Sequence, residues 1–227
     1  MLTESNTNTQ PGGSGKGTTP NAGDVSDANV QSLFIADASA LRSDTYLILA
    51  RLLRETLDAE LLDQLAHCDA DTESGSALGQ AWSELADACR NAEVESLDRE
   101  FHALFIGLGR GEVLPYSSWY MSGFLLDKPL ANLREDLNRL GIERDDSVTE
   151  SEDHAAALFE AMALLLDPEE GVDQAEQKQF FDRHLRPWIG QFFTDLHGAK
   201  NADFYRSVAK LGEAFIEFEQ SWLSLPQ

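Results

Sequence analysis

Cysteine, paired histidines, basic charge and long apolar runs are all scarce in this chain of 227 residues. Cys68 and Cys89 are the only cysteines and form no CxxC pair. That excludes a disulfide framework and fits a reducing compartment. Lys and Arg number 17 against 40 Asp and Glu, a net charge of −23. Such a surface repels nucleic-acid phosphates and anionic lipid, and it attracts a basic partner such as a cationic peptide. No apolar run approaches the length that spans a bilayer; AMALLL at 161–166 is typical of the longest. The N-terminus, MLTESNTNTQPGGSGKGTTP, lacks the basic and apolar regions of a secretory signal. A cytoplasmic protein without membrane insertion or a nucleic-acid partner is expected.

Catalytic and cofactor motifs are equally sparse. The five histidines, His67, His102, His154, His184 and His197, never fall three or four positions apart, as helical metal ligands would. GxSxG is absent, and the pair Ser117-Ser118 reads as turn or cap chemistry. GGSGKGT in the N-terminal stretch fails as a phosphate loop. Gly17 follows Lys16 where Ser or Thr is needed, and Gln10 stands where the first Gly belongs. No metal or cofactor is expected.

What is present is helical pattern. Residues 1–32, rich in Gly, Ser, Thr and Asn, bury too little surface to offset ordering entropy and read as a disordered tail. Residues 33–227 read as one domain. Tyr46, Leu49, Leu53 and Leu57 recur at helical spacing, as do Leu78, Trp82, Leu85 and Cys89. Phe204, Val208, Leu211, Phe215, Phe218 and Trp222 make a longer stripe. Turn formers break the pattern at 71–75, 107–115, 141–149, 168–171 and 198–201. The expectation is an all-α globule of roughly eight or nine helices.

Two stretches stand out. TESEDHAAALF (149–159) crowds acids against His154 and opens a helix whose stripe is Ala155, Leu158, Phe159, Met162, Leu165 and Leu166. Thr149 with Glu152 fits a capping box, and Ser151 is a rival cap. Glu150, Glu152 and Asp153 would then lie in the first turn, where the helix dipole favours negative charge. By pattern alone His154 is a boundary histidine, and loss of Asp153 or His154 is expected to leave the fold intact. The second stretch, EFHALFIGLGRGEVLPYSSWYMSGFLL (100–126), breaks from a helix into a Gly-rich loop and then aromatic residues. Aromatics beside a loop are usually core, yet they also suit a groove that takes a peptide.

Three stretches carry a family resemblance. FHALFIG with the following PYSSWY resembles an aromatic-x-x-LF-x-G and a Pro-aromatic-x-S segment, and ESEDH (150–154) resembles an E-P-x-D-H signature. HLRPWIGQFF (184–193) with FYRSVAKLGEAF (204–215) resembles HL-x-PW and FY-x-x-L segments. Together with ALRSDTYLILARLL (40–53), the chain resembles the TorD/DmsD family of cytoplasmic chaperones for molybdenum-containing oxidoreductases over roughly 40 to 225. Ser151 departs from the family's Pro, though Ser also starts a helix.

The resemblance implies a non-enzymatic, all-helical chaperone. It would bind the twin-arginine leader and body of a molybdoenzyme precursor until the molybdenum cofactor is inserted. Leader binding would fall to Glu150, Asp153 and His154 of the signature, with Pro115, Tyr116, Ser117 and Trp119 of the loop opposite. The resemblance leaves monomer and domain-swapped dimer both open. Two readings of other classes stand beside it. One is a metal-dependent hydrolase using Asp153 and His154; the other is a nucleotide-binding regulatory protein.

Overall fold

The apolar stripes become ten α-helices among the described residues of a computed structural model. These residues are 27–68, 75–145, 148–168 and 172–226, with side chains from Ala38 onward. The helices are α1 (Asp27–Arg54), α2 (Ala59–Ala66), α3 (Ala77–Asn91), α4 (Val94–Phe101), α5 (Ser117–Ser122), α6 (Lys128–Arg139), α7 (Ala155–Leu165), α8 (Gln174–His184), α9 (Ile189–Gly198) and α10 (Phe204–Trp222). No strand occurs among the described residues, so the all-α expectation holds. Of the expected tail, residues 1–26 lie outside the described residues, and the backbone of 27–32 is helical as the start of α1.

The count exceeds eight or nine because local chemistry stops helices inside apparently continuous stripes. Leu57 is buried but does not belong to α1. The chain leaves the helix after Arg54, and the Asp58 carboxyl restarts it by accepting the Leu61 N–H at 2.8 Å. Ser76 caps α3 and Asp173 caps α8 in the same way. Pro187 lies between α8 and α9, where it cannot continue a helix. A Pro also sits in the first turn of α6, where its missing N–H costs nothing.

Helix α7 forms the centre. It is apolar nearly all round, and a helix of that kind must be buried; Ala155, Ala156, Leu158, Phe159 and Met162 are fully enclosed. Its main partner is α1, while α10 packs on α9 and α3. Tyr46 of α1 joins the two layers: its ring lies 5.7 Å from Phe159 and 4.7 Å, edge-on, from Phe215 of α10. Beside it Arg42 and Glu219 form a buried bidentate pair at 2.7 and 2.6 Å between α1 and α10.

Distant acids finish α10 as well. The N-terminus of α10 has no side-chain cap of its own. The Glu100 carboxylate at the end of α4 accepts the N–H groups of Asp203, Phe204 and Tyr205 at 2.8, 3.2 and 2.8 Å. These are donors that a helix start leaves unsatisfied. α4 then passes into a π-helical turn, His102–Ile106, closed by the Gly107 N–H on the His102 carbonyl at 2.7 Å. Gly107 has φ +61°, which strains any residue with a Cβ. It turns the chain into the loop that leads to Pro115.

α9 and α10 approach closely because Gly212 has no side chain. A Cβ there would lie 2.1 Å from Cζ of Phe193, a ring held by Phe159 and Phe192. Gly→Ala in an open helix stabilises by roughly 0.5–1 kcal/mol. Here the sign should reverse. Gly212→Ala should cost about 1–3 kcal/mol by overpacking, read as a lower midpoint in urea with an unchanged slope.

Candidate functional site

The two stretches singled out in the sequence meet. Tyr116 and His154 form an isolated antiparallel bridge. The Ser117 N–H donates to the Asp153 carbonyl at 2.9 Å, and the Ala155 N–H to the Pro115 carbonyl at 2.7 Å. Each segment leads directly into a helix, α5 on one side and α7 on the other. The bridge thereby fixes two helix N-termini beside each other.

Side chains reinforce it. Asp153 is completely buried, and one of its carboxyl oxygens accepts the Ser118 N–H at 3.0 Å, in the first turn of α5. Its other oxygen has no hydrogen-bond partner in the structure. Ser118, also fully buried, passes the connection on: its hydroxyl accepts the Leu126 N–H at 3.1 Å. The Tyr116 ring stands edge-on to His154 at 5.1 Å, and its hydroxyl donates to Glu150 at 2.6 Å. Burial and the Glu150 carboxylate push the Tyr116 hydroxyl well above its ordinary pKa. Glu150 itself is exposed.

The start of α7 differs from the capping-box expectation. Its N-cap is His154, whose Nδ1 accepts the Ala156 N–H at 3.1 Å; neither Thr149 nor Ser151 caps it. Glu150 and Glu152 therefore precede the helix instead of lining its first turn. Glu152 turns to α6 and pairs with Arg134 at 3.2 and 2.8 Å, with Arg144 3.9 Å away. Those hydrogen bonds hold its carboxyl below the usual range. The capping box failed because it counts spacing alone. A long-range guanidinium competed for Glu152, and the bridge displaced the helix start to Ala155.

Of the seven residues expected in the site, Pro115, Tyr116, Ser117, Glu150, Asp153 and His154 come together. Trp119 belongs to a neighbouring surface, where the Arg110 guanidinium lies 4.5 Å over its ring and Tyr120 donates to Asp195 at 3.0 Å. The expectation that His154 is a boundary histidine, beside an Asp153 in the first helical turn, does not match the structure. Both are interior side chains, 0% and 6% exposed. Sequence reasoning missed Ser118, Arg134 and Arg144. Only the Ser-Ser pair gives a signal, as turn or cap chemistry, and Ser118 performs that role for the Leu126 N–H.

Among the described residues, no group of three His, Cys, Asp or Glu side chains is placed to hold a metal. His154 spends one ring nitrogen on the α7 backbone. No helix among the described residues is long and apolar enough to cross a membrane. Beside Glu150 runs a cleft of about 240 Å³. Glu143, Glu150, Glu152 and Glu160 line it together with Arg54 and Arg144, and Leu137, Leu158 and Leu164 supply apolar walls.

The overall fold is similar to that of a solved protein from Archaeoglobus fulgidus described as a redox enzyme maturation protein. The likeness has a TM-score of 0.51 at 21% identity and covers 79% of this chain and 93% of that one. In sequence, a family model described as nitrate reductase delta subunit matches residues 71–194, more than half of the chain. Relatives named chaperone protein TorD agree. That of Vibrio atlanticus is 25% identical over 203 residues, 81% of this chain and 94% of its own. That of Shewanella pealeana is 22% identical over 213 residues, 86% and 95% of the two chains. The chain belongs to the family that this model describes, that of the chaperones named TorD. It is accordingly not an enzyme.

His154 gives the site a pH signature. Burial lowers its pKa from 6.5 to about 4, against the pull of Glu150 and Asp153 and with a small push from Arg54. The unfolded chain then binds the proton first. Stability is whole above pH 6.5, falls as pH drops toward 4, and levels off below; the difference amounts to roughly 3 kcal/mol. Protonation also removes the Nδ1 lone pair that caps α7. His154→Asn keeps a cap acceptor without the titration. Between pH 6.5 and 4 its melting temperature should fall less steeply than that of the wild type.

Proposed function

We propose that this chaperone acts in the cytoplasm on the precursor of a molybdenum-cofactor oxidoreductase. It binds the precursor's twin-arginine leader at the Tyr116–His154 bridge and holds the enzyme for cofactor insertion. The observation that carries the reading is the outer face of the bridge. There Glu150, exposed and joined to Tyr116, stands at a cleft with apolar walls in which carboxylates outnumber the arginines Arg54 and Arg144. An arginine side chain is recognised by carboxylates through charge-assisted hydrogen bonds, and its apolar neighbours by apolar walls. The net charge of −23 favours the approach of a basic segment.

The residues divide the work. Glu150 and Tyr116 contact the leader. Asp153, His154, Pro115 and Ser117 hold the bridge that presents them. Arg144 lies on the same edge, with its guanidinium on the Glu150 carbonyl at 3.1 Å. The curated relatives' name, chaperone protein TorD, supports the same client class.

Glu150→Gln should preserve the melting temperature and weaken binding of a synthetic twin-arginine leader about tenfold, the scale of one charge-assisted hydrogen bond, roughly 1.5 kcal/mol. Asp153→Ala should instead destabilise the fold by about 1–3 kcal/mol, because the buried Ser118 N–H loses its acceptor. Leader affinity should also fall as salt rises, since exposed ion pairs are screened over about 8 Å at physiological ionic strength. Titration calorimetry at two salt concentrations, with thermal melts of both variants, tests the assignment. Leader affinity unchanged by Glu150→Gln and by salt would refute it.

A further inference from the structure

A separate cavity of about 620 Å³ opens between α1, α3 and α10. It shares no lining residue with the bridge or with the cleft beside Glu150. Its walls are apolar: Ile48 of α1, Leu78 and Trp82 of α3, and Phe215 and Phe218 of α10. It is a recess, since Phe215 is 1% exposed while Leu41, also in the lining, is 69% exposed. Sites that enclose small molecules have volumes of roughly 300–1,000 Å³, apolar walls and a few placed polar groups.

The placed polar group here is Arg42. It lines the cavity and is only 3% exposed. Two neighbours fix its guanidinium. Nε and Nη2 donate to Glu219 at 2.7 and 2.6 Å, and Cζ lies 5.5 Å from the centre of the Trp222 ring. Nη1 makes no hydrogen bond to any described residue. Unmet donors beside apolar walls cost free energy until an acceptor reaches them. Thr45, in the same lining, already donates its hydroxyl to the Leu41 carbonyl at 2.8 Å, so the cavity holds a positioned donor that calls for an acceptor. That acceptor should be uncharged. Glu219 already balances the Arg42 charge, the exposed Asp44 joins the lining, and the net charge of −23 repels anions. The aromatic side chains Trp82, Phe215 and Phe218 suit a flat ring, which packs edge-on or offset against them.

We propose that the cavity between α1, α3 and α10 is a binding site for a small uncharged aromatic molecule that carries a carbonyl group. The carbonyl oxygen accepts from Nη1 of Arg42, and the ring lies among Trp82, Phe215 and Phe218. Such a ligand would tie three helices together and raise the melting temperature, because it binds only the folded chain. The inference stands apart from the leader-binding reading and uses none of its residues.

The test uses the full chain and three probes of one shape: acetylnaphthalene, ethylnaphthalene, which lacks the carbonyl, and naphthoate, which is an anion. Equilibrium dialysis should show the ketone bound about tenfold more tightly than either of the others. The exposed Cys68 lines the cavity, whereas Cys89 is buried. Saturating ketone should therefore slow alkylation of Cys68 by N-ethylmaleimide at least threefold. Ile48→Trp, which fills the cavity, should weaken ketone binding at least tenfold and abolish that protection. Arg42→Met alone would leave Glu219 buried without its partner, so it is combined with Glu219→Met, an apolar replacement of both members that a fold tolerates. The double variant should bind ketone and hydrocarbon within threefold of each other. Equal binding of ketone and hydrocarbon by the wild type would show that Arg42 does not read the carbonyl, and tighter binding of naphthoate would make the ligand an anion; either overturns the proposal. So does the absence of ketone binding, or ketone binding that survives Ile48→Trp with Cys68 unprotected. If a synthetic twin-arginine leader displaces the ketone competitively, the cavity belongs to the client's site and the proposal is likewise overturned.

Discussion

The short bridge between Pro115–Ser117 and Asp153–Ala155 is the constraint on which the site depends. Two backbone hydrogen bonds there join segments 38 residues apart in sequence, counted from Tyr116 to His154. Each segment opens a helix, and the start of a helix leaves N–H groups in need of acceptors. Asp153 answers this need for α5 and His154 for α7. Because both acceptors are enclosed, the local dielectric strengthens these bonds and makes their loss costly. The signature residues are therefore interior scaffolding, and the exposed Glu150 is presented by them.

The same economy governs the acidic excess. A net charge of −23 suggests a uniformly acidic surface. Yet several carboxylates are committed to donors within the molecule. Glu100 caps α10, Glu112 accepts the Asn201 N–H and side chain, Glu152 holds Arg134, and Glu219 is sealed against Arg42. Asp136 likewise pairs with the half-exposed Arg183 and the buried His184. These pairings join elements far apart in sequence. The carboxylates left in solvent, among them Glu143 and Glu150, are the ones available to a basic partner.

Placement of the site follows from α7. Its apolar surface compels neighbours on nearly every side, which pins its N-terminus inside the molecule. The bridge then brings the Gly-rich loop to that fixed point. α5 and α6 carry the chain outward to the Phe124–Leu126 loop and back.

The sequence by itself determined the helical class and most of the apolar faces. Periodicity is a local property, and burial follows it at Tyr46, Leu85, Phe159 and Phe215. It also contained the resemblance by which the family was identified. Only the tertiary structure decided how the acids are used. No spacing rule shows that Glu152 faces Arg134, that Glu100 caps α10 across about a hundred positions, or that Asp153 lies wholly inside. Capping boxes and turn signals describe neighbours along the chain, whereas a carboxyl group responds to whichever donors the packed helices bring to it. For the same reason the sequence could mark ESEDH as unusual but could not separate its scaffolding members from Glu150, which reaches solvent.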